Sequence, residues 1–415
     1  MAIELTPTTE ARRVADATRE LVRARILPLE QEHDGDVAAA GGDAFRVHIQ
    51  QLARDAGVFA PHAPVEYGGL GMDMRDRAPV FEEAGYSVFG PLAMNIAAPD
   101  EGNIHMLAHI ASADQKERYL APLCRGEVRS AFAMTEPAPG AGADPAALAA
   151  TAERVPGGWR IDGAKHFITG ADGAGFFIVM ARTSGTAGDL GGATMFLAPA
   201  DADGIRVGRH IPTIDRSMVG GHCELTFDGL RLPDDAVLGE VDEGYRYAQV
   251  RLGPARMTHV MRWLGSARRA HDIALGYSAE RRLFGQRLGD LGMAQKMIAD
   301  NEIDIAATRA LLLTACAELD AGDLGTTATS IAKVYGAEAV HRVIDRSIQL
   351  CGGMGVSADL PLARLLSEVR PFRIYDGPSE VHRWSIAKRA VRRAARAREE
   401  VRNREDPRTG EKVSR

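Results

Sequence analysis

What the 415-residue chain lacks narrows it first. Its four cysteines, Cys124, Cys223, Cys316 and Cys351, stand far apart and form no C-x-x-C pair, which suits a reducing compartment and no disulfide framework. His222 and Cys223 adjoin, yet no further ligands follow at a recognisable spacing, so no metal is expected. No stretch approaches the ~20 uninterrupted apolar residues of a membrane span. Positive charge is not in excess: 50 Lys and Arg against 56 Asp and Glu leave a net charge of −6, with arginines interleaved among acids, which argues against a nucleic-acid partner. The opening Met1-Ala2-Ile3-Glu4-Leu5-Thr6-Pro7 has neither the basic region nor the apolar run of a secretory signal, so a cytoplasmic protein is expected. No G-x-G-x-x-G follows a strand pattern, so a dinucleotide would be held outside the Rossmann arrangement.

What is present, with 45% hydrophobic side chains, is ample for two or three packed layers or domains. From Thr9 to about Arg129 the pattern is helical. Val14, Ala17, Leu21, Val22 and Ile26 share one face, Pro28 is read as the end of that helix, and Phe45, Ile49, Leu52 and Ala53 mark the next, which stops at Gly57. Further helices are expected around Phe81 and Ala84 and from Asp114 to Leu123. Between about Ser130 and Glu240 the period changes to short β-branched and aromatic runs, Trp159–Ile161, Phe176–Ala181, Thr194–Leu197, Ile205–Val207 and Glu224–Phe227, separated by glycine-rich turns. They predict an antiparallel β-domain of the sandwich or barrel class. Beyond Gly244 the helical period returns: Ile298, Ile305, Leu312 and Leu319 recur every seven residues, with Ala294 and Ala315 between them, as in a bundle helix. Gly322 and Gly325 break it, and a second helix runs from Thr326 to Leu350. The expected division is an N-terminal helical domain over 1–129, a β-domain over 130–242, a helical bundle over 243–395 and a charged tail over 396–415.

Chemistry is expected at Tyr375-Asp376-Gly377-Pro378-Ser379-Glu380. The run Pro371–Tyr375 could dry out a carboxylate, Gly377-Pro378 turns the backbone, and Ser379 can cap a helix starting near Glu380. A carboxylate at such a place can abstract a proton while free N–H groups polarise a carbonyl. An ordinary turn with a solvated Asp satisfies the same residues. Phe132-Ala133-Met134-Thr135-Glu136-Pro137 and Lys165-His166-Phe167-Ile168-Thr169-Gly170 each offer a ring and a hydroxyl, either as a wall for a flat ring system or as sheet core. Arg281 in Arg281-Arg282-Leu283-Phe284-Gly285 suits a phosphate or simply faces water. Gly352 and Gly353 either close a helix or let a ligand approach the backbone.

The order of these motifs, from Ala131–Pro137 through Arg281–Gly285 and Gln349-Leu350-Cys351-Gly352-Gly353 to Tyr375-Asp376-Gly377, resembles the acyl-CoA dehydrogenases over roughly residues 10 to 395. A narrower likeness to the branch of family members ten and eleven rests on Ala98–Asn103, Leu252-Gly253-Pro254-Ala255-Arg256 with Met261-Arg262, and Asp376–His382; those animal proteins also carry kinase-like regions, for which this length leaves no room. The resemblance implies an α+β multidomain fold of helices, β-domain and four-helix bundle, assembled as a homotetramer or homodimer, with FAD as cofactor. It implies α,β-dehydrogenation of an acyl-CoA in fatty acid metabolism, with Asp376 as base and electron-transfer flavoprotein as acceptor. Phe132, Met134, Thr135, Phe167 and Thr169 would face the flavin. Arg281 and Phe284, from a neighbouring subunit, would meet its phosphates and adenosine, with Gln349, Gly352, Gly353, Pro378 and Glu380 also at the cofactor. Arg256, Gly377 and Ala143 would border the substrate, Ala143 standing where a serine is usual and Gly292 where a glutamine is common. Pro99–Asn103 would line the acyl pocket, Asp100 there either meeting a polar substituent or being a solvated loop acid. The usual base at the Asp376 position is Glu; Asp is shorter by one carbon–carbon bond, about 1.5 Å of reach. A rival base position, just before Arg256, holds Ala255. Two other readings stay open, a flavin-dependent oxidase of the same fold (an acyl-CoA oxidase or a protein like the nitroalkane oxidases) and a non-catalytic scaffold without FAD.

Overall fold

The computed structural model describes residues 5–323 and 325–405. Thr8 opens the first helix, Thr9–Leu21, by accepting from the Ala11 N–H at 3.1 Å, and Val14, Leu21, Val22 and Ile26 are buried along one face. Pro28 does not end this rod as expected. A wider π-turn, Val22–Ile26, precedes a further helical piece, Leu27–Glu32, and Pro28 sits in that piece's first turn, where the loosened backbone spares its ring the carbonyl clash of a regular helix. Helices Gly42–Asp55 and Met74–Ala84 follow the expected faces, with Phe45, Ile49, Ala53 and Phe81 buried. The 113–124 run is also interrupted by a π-turn, Lys116–Leu120. Helix Asp100–Ile110 is an addition: its first turns bury Glu101, Gly102, Asn103 and Ile104 together, so no amphipathic stripe announces it.

Eight strands follow: β1 (Ser130–Ala133), β2 (Thr151–Val155), β3 (Gly158–Thr169), β4 (Phe176–Arg182), β5 (Ala193–Pro199), β6 (Ile205–His210), β7 (His222–Pro233) and β8 (Val237–Leu238). They form one sheet in the order β6-β7-β3-β2-β4-β5-β8, largely antiparallel, with β1 alongside β4 in parallel register. β4 is buried at every position because both its faces are covered. Phe176, Ile178 and Met180 join the core shared with the helices, while Phe177, Val179 and Ala181 join the sheet's own core with Phe196, Leu225 and Phe227. In β1 the same alternation sends Ala131 and Ala133 into the sheet core and turns Phe132 toward the helices.

Four long helices complete the chain: Gly244–Glu280, Gly292–Asp320, Thr326–Cys351 and Ser379–Glu405. The seven-residue repeat holds, with Ala294, Ile305, Leu312 and Ala315 buried. The breaks fall where Gly322 and Gly325 predict, and Gly352, at φ +58°, closes the third helix. The last helix begins at Ser379 itself, so Ser379 does not take the capping place ahead of it, and it continues through Arg396 to Glu405 rather than dissolving into a tail. Residues 406–415 of the expected tail lie outside the described residues.

One crossing sets the site. A Cβ at Gly85 would stand 1.9 Å from the Arg262 carbonyl oxygen, and one at Gly265 would stand 2.1 Å from that of Glu82. Only glycines let helix Gly244–Glu280 press this closely on the end of Met74–Ala84, and that fixes the height at which His259 and Arg262 meet the chain around Asp376.

Candidate active site around Asp376

Asp376 follows a short 3₁₀ turn, Arg370–Arg373, and holds φ +53°, a left-handed conformation that costs a non-glycine residue of order 1–3 kcal/mol unless its surroundings impose it. The surroundings do so. The Asp376 carbonyl accepts from Arg256 Nε at 2.9 Å and from His382 Nε2 at 3.1 Å, and Lys333 Nζ donates to the Gly377 carbonyl at 2.7 Å. Burial pushes Lys333 down to about 8. The Asp376 N–H makes no backbone hydrogen bond among the described residues. Its side chain is 16% exposed, with Oδ2 3.3 Å from His259 Nε2.

The expected dry approach is half realised. Phe372 is fully buried and stacks at 5.5 Å on Tyr375, whereas Ile374 faces outward. The electrostatics run opposite to a simply desolvated acid. Burial alone would raise the Asp376 carboxyl, but His259, Arg251 and Arg256 outweigh it and hold the group below the usual carboxylate range. In the free protein Asp376 is therefore a firmly ionised and weak base.

Arg251 is buried beside it, with Nε donating to Asn103 Oδ1 at 2.8 Å and its guanidinium 4.4 Å from the centre of the Phe132 ring. Asn103 Nδ2 in turn donates to Ser130 Oγ. Asp100 Oδ1 accepts from the Ser130 N–H (2.8 Å) and hydroxyl (2.6 Å), so the residue is not a solvated loop acid; it ties its helix to β1.

The two sequence motifs on β1 and β3 lie side by side. Lys165, fully buried, donates to Glu136 Oε1 at 2.7 Å and to the Met134 and Met180 carbonyls, and the His166 N–H donates to the Thr135 carbonyl at 3.0 Å. Glu136 also accepts from the N–H groups of Ala141, Ala149 and Ala150, which folds the loop bearing the exposed Ala143 back on itself. Phe167 sits at φ +53° with its ring 49% exposed. Two residues on, Thr169 Oγ1 meets His222 Nδ1 at 2.9 Å, and His222 Nε2 meets Asp215 Oδ2 at 2.9 Å. A cleft of about 540 Å³ is bordered by Thr169's partner His222 with Asp215, Met218 and Arg129, and Met218 also lines a narrow cavity of about 30 Å³ that reaches His259, Arg262 and Trp263.

The structure does not join every expected residue to this centre. Arg281 closes its helix in the open, Phe284 is 88% exposed at φ +50°, and Gln349, Gly352, Gly353 and Glu380 face outward. Among the described residues no hydrogen bond or ring contact links Arg281 or Phe284 to Phe167 or Thr169. Sequence reasoning passed over His259, Arg251 and Lys333, and took His222 only as a metal candidate. A polar residue inside a buried helix stretch was the available signal for His259 and Arg251; their partners are brought by the fold. Among the described residues no helix is long and apolar enough to cross a membrane.

Three family models match the chain in sequence: acyl-CoA dehydrogenase, N-terminal domain, over residues 8–127, middle domain over 131–230 and C-terminal domain over 242–391. The chain is 36% identical over 379 residues to the probable acyl-CoA dehydrogenase FadE2 of Mycobacterium tuberculosis, covering 89% of this chain and 92% of that one. It is 33% identical to the (R)-benzylsuccinyl-CoA dehydrogenase of Thauera aromatica, over 84% and 86% of the two chains. Acyl-CoA dehydrogenase family member 11 of Mus musculus is 32% identical, over 92% of this chain, which spans only 50% of that protein's length. Among solved structures, a putative acyl-CoA dehydrogenase from Mycobacterium abscessus superposes with a TM-score of 0.86 at 35% identity, over 94% of this chain and all of that one. A glutaryl-coenzyme A dehydrogenase in complex with glutaryl-CoA gives 0.81 at 27% identity, over 92% and 95%. A structure from work on the electron transferring flavoprotein of Acidaminococcus fermentans gives 0.83 at 26% identity, over 94% of this chain and all of that one.

Proposed function

The chain belongs to the acyl-CoA dehydrogenase family of oxidoreductases acting on CH–CH groups, and from that premise we propose that it dehydrogenates an acyl-CoA thioester between its α and β carbons, with Asp376 as the base. The observation that carries this reading is Asp376 itself, a carboxylate in a strained backbone conformation, its carbonyl tied by Arg256 and His382 and one side-chain oxygen 3.3 Å from His259.

The residues present suit FAD. An aromatic ring held half-exposed in a strained conformation and a threonine two residues on, whose partner His222 borders the 540 Å³ cleft, are what a flat heteroaromatic group with polar edges requires. Phe132, Met134, Thr135, Phe167 and Thr169 would hold it, with Arg281 and Phe284 contributed by a neighbouring subunit of a homotetramer or homodimer. When bound, FAD supplies the acceptor for two electrons. The protein does the rest. Asp376 takes the α-proton at Oδ1, its own N–H is available to the thioester oxygen, and Phe372 and Tyr375 keep water from one side of the carboxylate. Because the free carboxyl is held below its usual range, binding must raise it before it can act. An acyl group that covers the carboxylate and takes away its remaining water works in that direction, since desolvation disfavours the charged form of the acid. The onward acceptor we assign is an electron transferring flavoprotein, the kind of protein with which the Acidaminococcus fermentans structure is concerned.

Asp376→Asn tests the reading. The variant should bind FAD and remain yellow, while anaerobic acyl-CoA should no longer bleach it; full bleaching at the wild-type rate refutes the assignment.

A further inference from the structure

We propose that Arg262 and His259 form a fixed strut that aims the Asp376 carboxylate, His259 serving as a permanent neutral hydrogen-bond donor and never as an acceptor of the abstracted proton. The function of the strut rests on Asp376 being the base; its existence does not.

The hydrogen bonds define the tautomer. Arg262 Nη2 lies 2.8 Å from His259 Nδ1, and a guanidinium has donors only, so Nδ1 must be the unprotonated nitrogen. The ring hydrogen is then on Nε2, which lies 3.3 Å from Asp376 Oδ2, a buried oxygen without a hydrogen-bond partner in this structure, so the imidazole N–H is the donor placed nearest to it. Turning the ring over would place carbon atoms at both contacts, so one orientation alone satisfies both neighbours. Arg262 is fixed in its turn: Nη1 donates to the Ile96 carbonyl and stands 4.0 Å from Glu101 Oε2, in a side chain 5% exposed. The imidazole is wedged at 4.8 Å from Tyr375 and 5.8 Å from Phe372, and Trp263 Nε1 pins the Tyr375 hydroxyl at 2.6 Å.

The charges around the pair favour the neutral ring. Arg262 faces the ring from its own helix, Arg251, Arg256 and Lys333 surround Asp376, His382 is itself pushed down to about 4 by burial, and Glu101 and Asp376 are the acids that act on the ring. Burial first and Arg262 second hold His259 below its ordinary value. In the abstraction step the substrate's α-C–H bond breaks, an Oδ1–H bond forms on Asp376, and the electron pair stays with the acyl group. His259 cannot relay that proton onward, because Nε2 already carries one and Nδ1 is capped by a cation. The proton therefore stays on Asp376 until the ligand leaves. The strut also answers the shortness of Asp: a side chain with few torsions, on a backbone whose carbonyl is held by Arg256 and with Oδ2 set against His259, has its other oxygen placed without the reach of Glu.

Two measurements test this. Imidazole ¹⁵N spectra of the purified protein, with the His259 signals assigned by their loss in His259→Gln, should show Nε2 protonated and Nδ1 bare, unchanged from pH 5 to 9; titration of this ring to the imidazolium in that range overturns the proposal. Glutamine presents the same acceptor and donor, leucine neither. In single-turnover flavin reduction by an acyl-CoA, His259→Leu should slow the step about 10²-fold with KM changed less than about threefold, and should move the acid limb of the pH profile upward, because Asp376 loses a donor that stabilises its charge. His259→Gln should recover to within about tenfold of wild type. If His259→Leu leaves both rate and acid limb where they were while Asp376→Asn is dead, the strut fails and the base stands. If Asp376→Asn reduces flavin normally, the base reading fails, and the nitrogen spectra still decide the tautomer.

Discussion

Replacing Lys165 by methionine probes whether the β1 and β3 motifs are held together by the buried ion pair beneath them. Lys165 has no solvent exposure and makes three hydrogen bonds, to Glu136 Oε1 (2.7 Å), the Met134 carbonyl (3.1 Å) and the Met180 carbonyl (2.7 Å). Burial pushes its ammonium down to about 8, still protonated at neutral pH. Burial alone would raise Glu136, but Lys165 and the backbone donors of Ala149 and Ala150 more than offset it, so the carboxylate stays ionised. Methionine fills nearly the same space and leaves that carboxylate without its cation. Removing one member of a buried pair costs about 3–5 kcal/mol. Three N–H groups still bind Glu136, which places the expected loss at the lower end, about 3 kcal/mol. In urea, with a slope of about 3 kcal/mol per molar for the transition, the midpoint should fall by about 1 M. Lys165→Met with Glu136→Gln should recover roughly half of this, since the glutamine is neutral and its one oxygen can still accept from Ala141 and Ala149, which share Oε2, while the Ala150 N–H loses its acceptor. A fall of under about 0.3 M for the single variant, or a double variant no better than the single, would refute the argument that charge, not packing, is what Lys165 supplies.

Three further outcomes follow from the same geometry. Glu368 is buried and accepts from the Arg216 N–H and the Ser217 hydroxyl, both at 2.7 Å, and burial pushes it up to about 7. A folded-state value above the unfolded one means this group favours folding most below about pH 4.5 and loses that contribution as pH rises through 7. Glu368→Gln should thus match wild type near pH 4.5 and exceed it by up to about 3 kcal/mol at pH 8 in urea titrations, and parallel curves would count against the buried charge. Leu312→Ala, at the centre of the seven-residue repeat and 1% exposed, should cost about 2–5 kcal/mol of stability by calorimetry, and a loss under 1 kcal/mol would mean the bundle core is not there. Phe284→Ala removes an exposed ring and should leave stability within about 0.5 kcal/mol. If a neighbouring subunit's Phe284 meets the cofactor, the variant should nonetheless release FAD on dilution, seen as a rise in flavin fluorescence, and full retention rules that contact out.

Much of the architecture was legible because it is written in local period. The unbroken apolar run Phe176–Ala181 names a strand buried on both faces, and the seven-residue spacing of Ile298 to Leu319 names a helix and the face it buries. Misses came where local rules compete with packing. Pro28 reads as a helix end, but a π-turn ahead of it lets the rod continue. Helix Asp100–Ile110 has no apolar stripe because its polar residues are buried in pairs: Asp100 with Ser130, Glu101 with Thr258 and Asn103 with Arg251. Ser379 reads as a cap, yet it lies within the first turn with its buried hydroxyl unpartnered, and beside it Arg373 pairs with Glu338 at 2.9 Å.

By itself the sequence determined the succession of helices, sheet and helices, the family those motifs spell, and the candidacy of Asp376 beside a glycine. Each of these depends on residues adjacent in the chain or at a short fixed period. Only the tertiary structure decided the charge on that carboxylate, the nitrogen of His259 that carries hydrogen, and the partner of Thr169. Those are set by groups far apart in sequence, Arg251 and His259 against Asp376, His222 against Thr169. Their fields and hydrogen bonds exist only once a close crossing at Gly85 and Gly265 and the pairing of β3 with β7 have brought them within a few ångströms.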